Sequence, residues 1–270
     1  MPDPNQNPSQ PVPERNDPPR PIEEHLIELR RRLIVIIATV AVTTGISWWQ
    51  YKRILEAVER PLILVNEQLK FGTAANLQTF SPAEAFIFVM KIGVLAGLIL
   101  ASPMIIYQLW MFLSPGLTKR EKKVLLPIFT LGLVFFLAGA TVAYFWAMPA
   151  ALYYLALVAK NIDVLYNLRL ADYTGFFISV IVAFGAAFEL PLVMLGLGAS
   201  GIVAPSAFWR PWRYVVVGAF VLGAVLTPPD VVSQIIMAAA LIILYTLGVY
   251  FAKIGARYMG RGTGNRESQK

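Results

Sequence analysis

Six long apolar runs dominate the chain, and charged residues fall almost entirely between them. Charge is absent from residues 33–51, 92–118, 124–159, 190–209, 214–229 and 231–252. A helix needs about 20 apolar residues to cross roughly 30 Å of hydrocarbon, so the pattern predicts six membrane spans. They are placed at 33–51, 85–108, 124–147, 173–198, 212–227 and 231–252. The last two stay separate because Thr227-Pro228-Pro229-Asp230 is turn chemistry in the middle of an apolar run. The expected fold is an all-α integral membrane protein.

Polar segments complete the layout. The first twenty residues hold seven prolines and no apolar run, so residues 1–20 are expected to be a disordered tail and not a signal peptide. In PIEEHLIELRRRL, residues Ile22, Leu26, Leu29 and Leu33 recur at helical spacing, which predicts an amphipathic helix feeding the first span. The longest connection, 52–82, contains KRILEAVERPLILVNEQL, where Pro61 is expected to split an amphipathic stretch into two short helices capping one face. The six-span domain is expected over 21–258, with a flexible tail at 259–270. No internal repeat is found, which weakens an inverted-repeat transporter.

Composition agrees with the pattern: 57% of residues are hydrophobic and 14% charged, against about 25% charged in a soluble domain. Mean hydropathy is +0.62. The 23 basic residues outnumber the 16 acidic ones, but they flank spans, so they set topology and nucleic-acid binding is not expected. Sixteen lie in the two terminal segments and in the loops after spans two and four, and six lie in the loops after spans one and three. With an even number of spans, both termini are therefore expected to be cytoplasmic. Cysteine is absent and His25 is the single histidine, which excludes disulfides, thiolate nucleophiles and histidine-rich metal sites. No protease dyad, P-loop or dinucleotide fingerprint occurs, so neither an enzyme nor a cofactor is expected.

Two charges lie inside spans. Glu189, in AFGAAFELPLVML, costs about 2.5–3.5 kcal/mol at mid-membrane even on the lenient insertion scale. Pro191 is expected to kink the helix and open space beside it. Either a hydrogen-bonded structural acid or an acid lining a wet cavity fits. Lys91 has Glu84 two turns earlier on the same helical face, and a snorkelling lysine accounts for it. On the predicted cytoplasmic side, Glu28 in HLIELRRRL and Glu121 in LTKREKKVL each sit among bases. From composition alone a surface ion pair, contributing about 0.2–1 kcal/mol, is the favoured reading of each. Span five is short: sixteen residues from 212 to 227 rise about 24 Å against roughly 30 Å of hydrocarbon. The turn bearing Asp230 is therefore expected below the outer headgroups.

The ordered motifs HLIELRRRL, ERPLI, SPAEAF with Lys91, SPMIIYQLWMFLSPGLTKRE, AFGAAFELP and GAFVLGAVLTPPDVVSQ give the chain, over about residues 21–258, a close resemblance to the TatC family of twin-arginine translocase receptors. That resemblance implies a glove-shaped bundle with short fifth and sixth helices in the plasma membrane. It implies recognition of Arg-Arg signal peptides on folded cargo by Glu28 and Glu121, with Phe112, Leu113 and Pro115 taking the apolar consensus residues. It implies transport driven by the proton gradient, the single-span partners TatA and TatB, and homo-oligomerisation within a TatB-TatC complex. Thr227 and Gln234 are implied to dock the partner helices, and Glu189 to face a concave hollow. If one of Arg30, Arg31 and Arg32 pairs with Glu28, the carboxylate must exchange partners on binding. The rival reading is a proton-coupled small-solute transporter built on a Glu189 and Lys91 pair, and a further rival is a scaffold without a ligand.

Overall fold

The computed structural model describes residues 22–69, 77–116, 119–162, 167–199, 201, 203–226 and 231–267; within these, the side chains of 22–24, 116, 119–121, 123–125, 128 and 258–267 are left undescribed. The tail at 1–20 and the turn with Thr227 and Asp230 lie outside the described residues. The elements are α1 (Ile22–Trp49), α2 (Tyr51–Leu69), β1 (Leu77–Gln78), α3 (Pro82–Leu113), α4 (Lys119–Val142), α5 (Met148–Asn161), β2 (Leu168–Arg169), α6 (Leu170–Ala199), α7 (Trp212–Leu226) and α8 (Val231–Glu267). Among the described residues, five helical segments are long and apolar enough to cross a membrane: His25–Trp49, Pro82–Leu113, Phe129–Asn161, Leu170–Ala199 and Val231–Arg257. The sixth apolar helix, α7, has only 15 residues.

Several expectations change. The third apolar segment runs to Asn161, well past the expected end at 147, because a π-helical turn at Ala143–Ala147 joins α4 to α5. Pro61 does not split its helix. It is buried inside a continuous α2, and the Ala57 carbonyl, four residues earlier, accepts a hydrogen bond from Tyr144 Oη at 2.7 Å. The usual penalty for an internal proline is an orphaned carbonyl, and here another helix satisfies it. The last helix is not short, as the resemblance implied: its apolar segment Val231–Arg257 has 27 residues, and the helical backbone of α8 continues to Glu267, past the expected boundary at 258.

Packing follows membrane logic. The α1 helix turns Ile34, Ile37, Val42 and Ile46 outward and buries Thr44 and Ser47 against α3. Between membrane helices, apolar side chains gain little from leaving lipid, so small and hydroxylated residues make the contacts. Thr43 Oγ1 donates to the Gly97 carbonyl at 2.8 Å. A Cβ at Gly97 would lie 2.8 Å from Thr44 Cα, so the glycine sets how closely α1 and α3 approach. On the α6–α8 interface, a Cβ at Gly255 would meet the Leu195 carbonyl at 2.6 Å. The largest buried cluster gathers Val58, Leu62 and Val65 of α2 with Leu152 of α5 and Tyr173, Phe177 and Phe184 of α6. The α2 helix thus packs on α5 and α3, with Tyr173 of α6 reaching its Val58 carbonyl.

A short parallel ladder, absent from the expected all-helical layout, pairs Leu77 with Leu168 and Gln78 with Arg169. It is fastened at the start of α3, where Ser81 caps the helix and Pro82 occupies its first turn. Glu84 accepts from the Phe80 N–H at 3.1 Å and from Arg169 Nε at 2.9 Å. Glu84 is therefore committed to the opposite connection and not to Lys91.

Candidate functional site

The first turns of α1 and the last turns of α3 meet at the end of the bundle remote from the ladder. His25, Glu28 and Arg32 are spaced by three and four residues, so they share one helical face. Gln108 and Phe112, four apart on α3, share the opposing face. The His25 imidazole stacks on the Phe112 ring with centroids 4.4 Å apart and planes 26° from parallel. Arg32 Nη2 donates to Glu28 Oε1 at 3.0 Å, and Nη1 donates to Gln108 Oε1 at 3.1 Å. Gln108 is 5% exposed, and its Nε2 points to Met104 Sδ at 3.9 Å. The Arg32 Nε is buried and bonded to no described group.

Of the expected recognition residues, Glu28 and Phe112 are brought to one face, through Arg32 and His25. Leu113 is 45% exposed at the end of α3, and Pro115 is exposed in the 3-10 turn Ser114–Gly116 that follows. Glu121 lies in the first turns of α4, and its side chain is outside the described ones. Gln108 was missed by sequence reading, although a lone amide in an apolar span is the signal that marks it. His25 was read only for its scarcity, yet its spacing to Glu28 already set both on one stripe.

This arrangement suits cation recognition beside an aromatic wall. Glu28 retains one-fifth of its side-chain exposure and so is reachable from water. A carboxylate accepts a guanidinium through two parallel hydrogen bonds, a geometry that an ammonium cannot copy. No cluster of metal-binding side chains occurs among the described residues.

The intramembrane charges lie elsewhere. Glu189 packs over α4, where a Cβ at Gly132 would stand 3.2 Å from its Oε2, beside the Phe136 backbone. No basic group is ion-paired with it among the described residues. Lys91 is exposed on α3, so the coupled pair required by the small-solute transporter is not formed. The α6 helix stays helical through the buried Pro191. Gln234 Nε2 donates to the Phe220 carbonyl at 3.0 Å, which joins α8 to α7 and engages the group expected to face a partner helix.

Residues 24–239 match the sequence profile of the family described as TatC, Sec-independent protein translocase protein. The chain belongs to the TatC family. The Sec-independent protein translocase protein TatC of Aquifex aeolicus is 35% identical over 238 residues, covering 88% of this chain and 96% of that one. TatC of Escherichia coli O6:H1 is 36% identical over 248 residues, with 92% of each chain covered. A crystal structure of the twin-arginine translocase receptor TatC superposes with a TM-score of 0.75 at 34% identity, covering 86% of this chain and 99% of that one. The all-helical architecture with several apolar helices is thus that of the TatC family, and the family is one of protein translocases.

Proposed function

We propose that the chain is the signal-peptide receptor and core subunit of a twin-arginine translocase, exporting folded proteins across the plasma membrane on the proton gradient. The observation that carries this reading is the convergence of Glu28, Arg32, Gln108, His25 and Phe112 where α1 meets α3. A partly exposed carboxylate beside an aromatic wall matches a peptide in which an arginine pair is followed by apolar residues. Glu121, at the start of the adjoining α4, supplies the second carboxylate, and Leu113 and Pro115 extend the apolar surface. Both termini are cytoplasmic by the distribution of basic residues. TatA and TatB are the single-span partners, docking along α7, α8 and the Thr227 turn, and several copies of the chain assemble with TatB. Glu189 faces the hollow of the bundle.

The test is photocrosslinking of an Arg-Arg signal peptide to the full chain in membranes, against its Lys-Lys counterpart. Glu28→Gln and Glu121→Gln should each cost about 1.5–3 kcal/mol of peptide binding, the worth of a charged hydrogen bond. Rising salt should weaken the wild type, because the site is at the surface. Undiminished crosslinking in the double variant would remove the site.

A further inference from the structure

From Leu190 to Arg266 the sequence holds six basic residues and one acidic residue, Asp230, which lies in the connection between α7 and α8. Arg210 and Arg213 flank the start of α7, and Lys253 and Arg257 close the apolar segment of α8. All four are exposed, and none is in an ion pair among the described residues. The 3-10 turn Pro205–Trp209 brings the two groups together. Its Phe208 carbonyl accepts from Tyr245 Oη on α8 at 2.7 Å, and Trp212 packs on both Trp209 and Tyr245, with ring centroids 5.5 and 6.2 Å away. Lys253 Nζ lies over the Trp209 ring at 5.8 Å and over the Tyr250 ring at 5.3 Å. Those two rings are themselves 39% and 53% exposed.

We propose that this corner is a binding site for an anionic phospholipid, whose headgroup phosphate meets Lys253 and the flanking Arg210, Arg213 and Arg257 while its glycerol and acyl chains lie against Trp209 and Tyr250. The inference is independent of the twin-arginine reading. Cations at the end of an apolar helix sit at headgroup depth, where tryptophan and tyrosine also concentrate. A soluble anion needs charge alone, whereas a lipid also covers exposed rings, and this corner offers both. Two ring faces hold the Lys253 ammonium, and the hydrogen-bonded turn holds Trp209, so little side-chain freedom is lost when a headgroup arrives. Each base near an anionic lipid surface is worth about fivefold in affinity. No carboxylate pairs with these bases among the described residues, so that attraction is not cancelled. A lipid bound here fixes the start of α7 at the headgroups, which puts the shortfall of this 15-residue helix at its other end.

Native mass spectrometry of the full chain in detergent measures Kd for the first phosphatidylglycerol bound and, separately, for the first phosphatidylcholine. The anionic lipid should bind roughly tenfold more tightly, or better. Lys253→Gln, and the pair Arg210→Gln with Arg213→Gln, should weaken phosphatidylglycerol about fivefold per charge removed and leave phosphatidylcholine unchanged. Trp209→Leu keeps the net charge and should also weaken phosphatidylglycerol, because Lys253 loses a ring and the lipid loses its apolar wall. Arg30→Gln removes an exposed base of α1 that lies outside the aromatic corner, and should have no effect. If Lys253→Gln fails to fold, the arginine pair carries the test. A loss in Arg30→Gln as large as that in Lys253→Gln makes the attraction a property of the whole charged face and overturns the site. Displacement of phosphatidylglycerol by millimolar inorganic phosphate assigns the corner to free anions and overturns it too. Equal Kd values for the two lipids leave the corner to an acidic segment of another protein, and the inference falls.

Discussion

Tyr144 donates its hydroxyl to the Ala57 carbonyl, the acceptor that Pro61 four residues later leaves without an intrahelical donor. One hydrogen bond from the π-helical turn thus keeps the α2 helix in one piece. Tyr173 on α6 donates to the next carbonyl, Val58, so two helices secure the same turn of α2.

Tyr144→Phe should destabilise the protein by about 0.5–1.5 kcal/mol, the net worth of one intramolecular hydrogen bond to an exposed carbonyl. Pro61→Ala restores a local donor, so Tyr144→Phe should cost less in that background. Thermal unfolding in detergent across the double-mutant cycle measures the coupling. Additive losses would mean that the two residues act independently.

Gly97 sets the α1–α3 approach, and the recognition face is built across that same pair of helices. Gly97→Ala would place a methyl group 2.8 Å from the Thr44 backbone, an overpacking that costs about 1–3 kcal/mol. It should also weaken Arg-Arg peptide binding, because Glu28 and Phe112 separate with the helices. Gly45→Ala is the control: nothing lies within 4 Å of the added carbon, so stability and binding should stay at wild-type values. Both are read by unfolding midpoint and peptide Kd.

The 15 residues of α7 rise about 22 Å, roughly 8 Å less than the hydrocarbon thickness. Such a deficit should thin the bilayer or admit water at the C-terminal end of α7. Inserting four apolar residues before Leu226 adds about 6 Å, removes most of the mismatch and shifts Phe220 relative to Gln234. Transport should fall, and partner crosslinking from position 234 should change. Unaltered transport and crosslinking would mean that the short helix has no functional role.

Periodicity and charge alone placed the apolar helices, the short α7 and the amphipathic entry to α1, because hydration forces charge out of hydrocarbon wherever the chain crosses it. Carboxylates among bases marked Glu28 and Glu121, yet composition by itself favoured a surface ion pair at each, and only the family resemblance pointed to a ligand site. Three features were decided only by tertiary structure. Pro61 reads locally as a break, and it ceases to be one because Tyr144, far along the chain, supplies the missing donor. The connections carrying Leu77 and Leu168 show no strand pattern, and they pair because α3 and α6 start side by side. Gln108 is one amide in an apolar run until Gly97 lets α1 close onto α3, and that approach is what makes Arg32, Gln108 and Glu28 a single site. Local pattern reports where a segment can reside, whereas a hydrogen bond between distant residues depends on which helices pack, a choice made by small side chains whose hydropathy carries no signal.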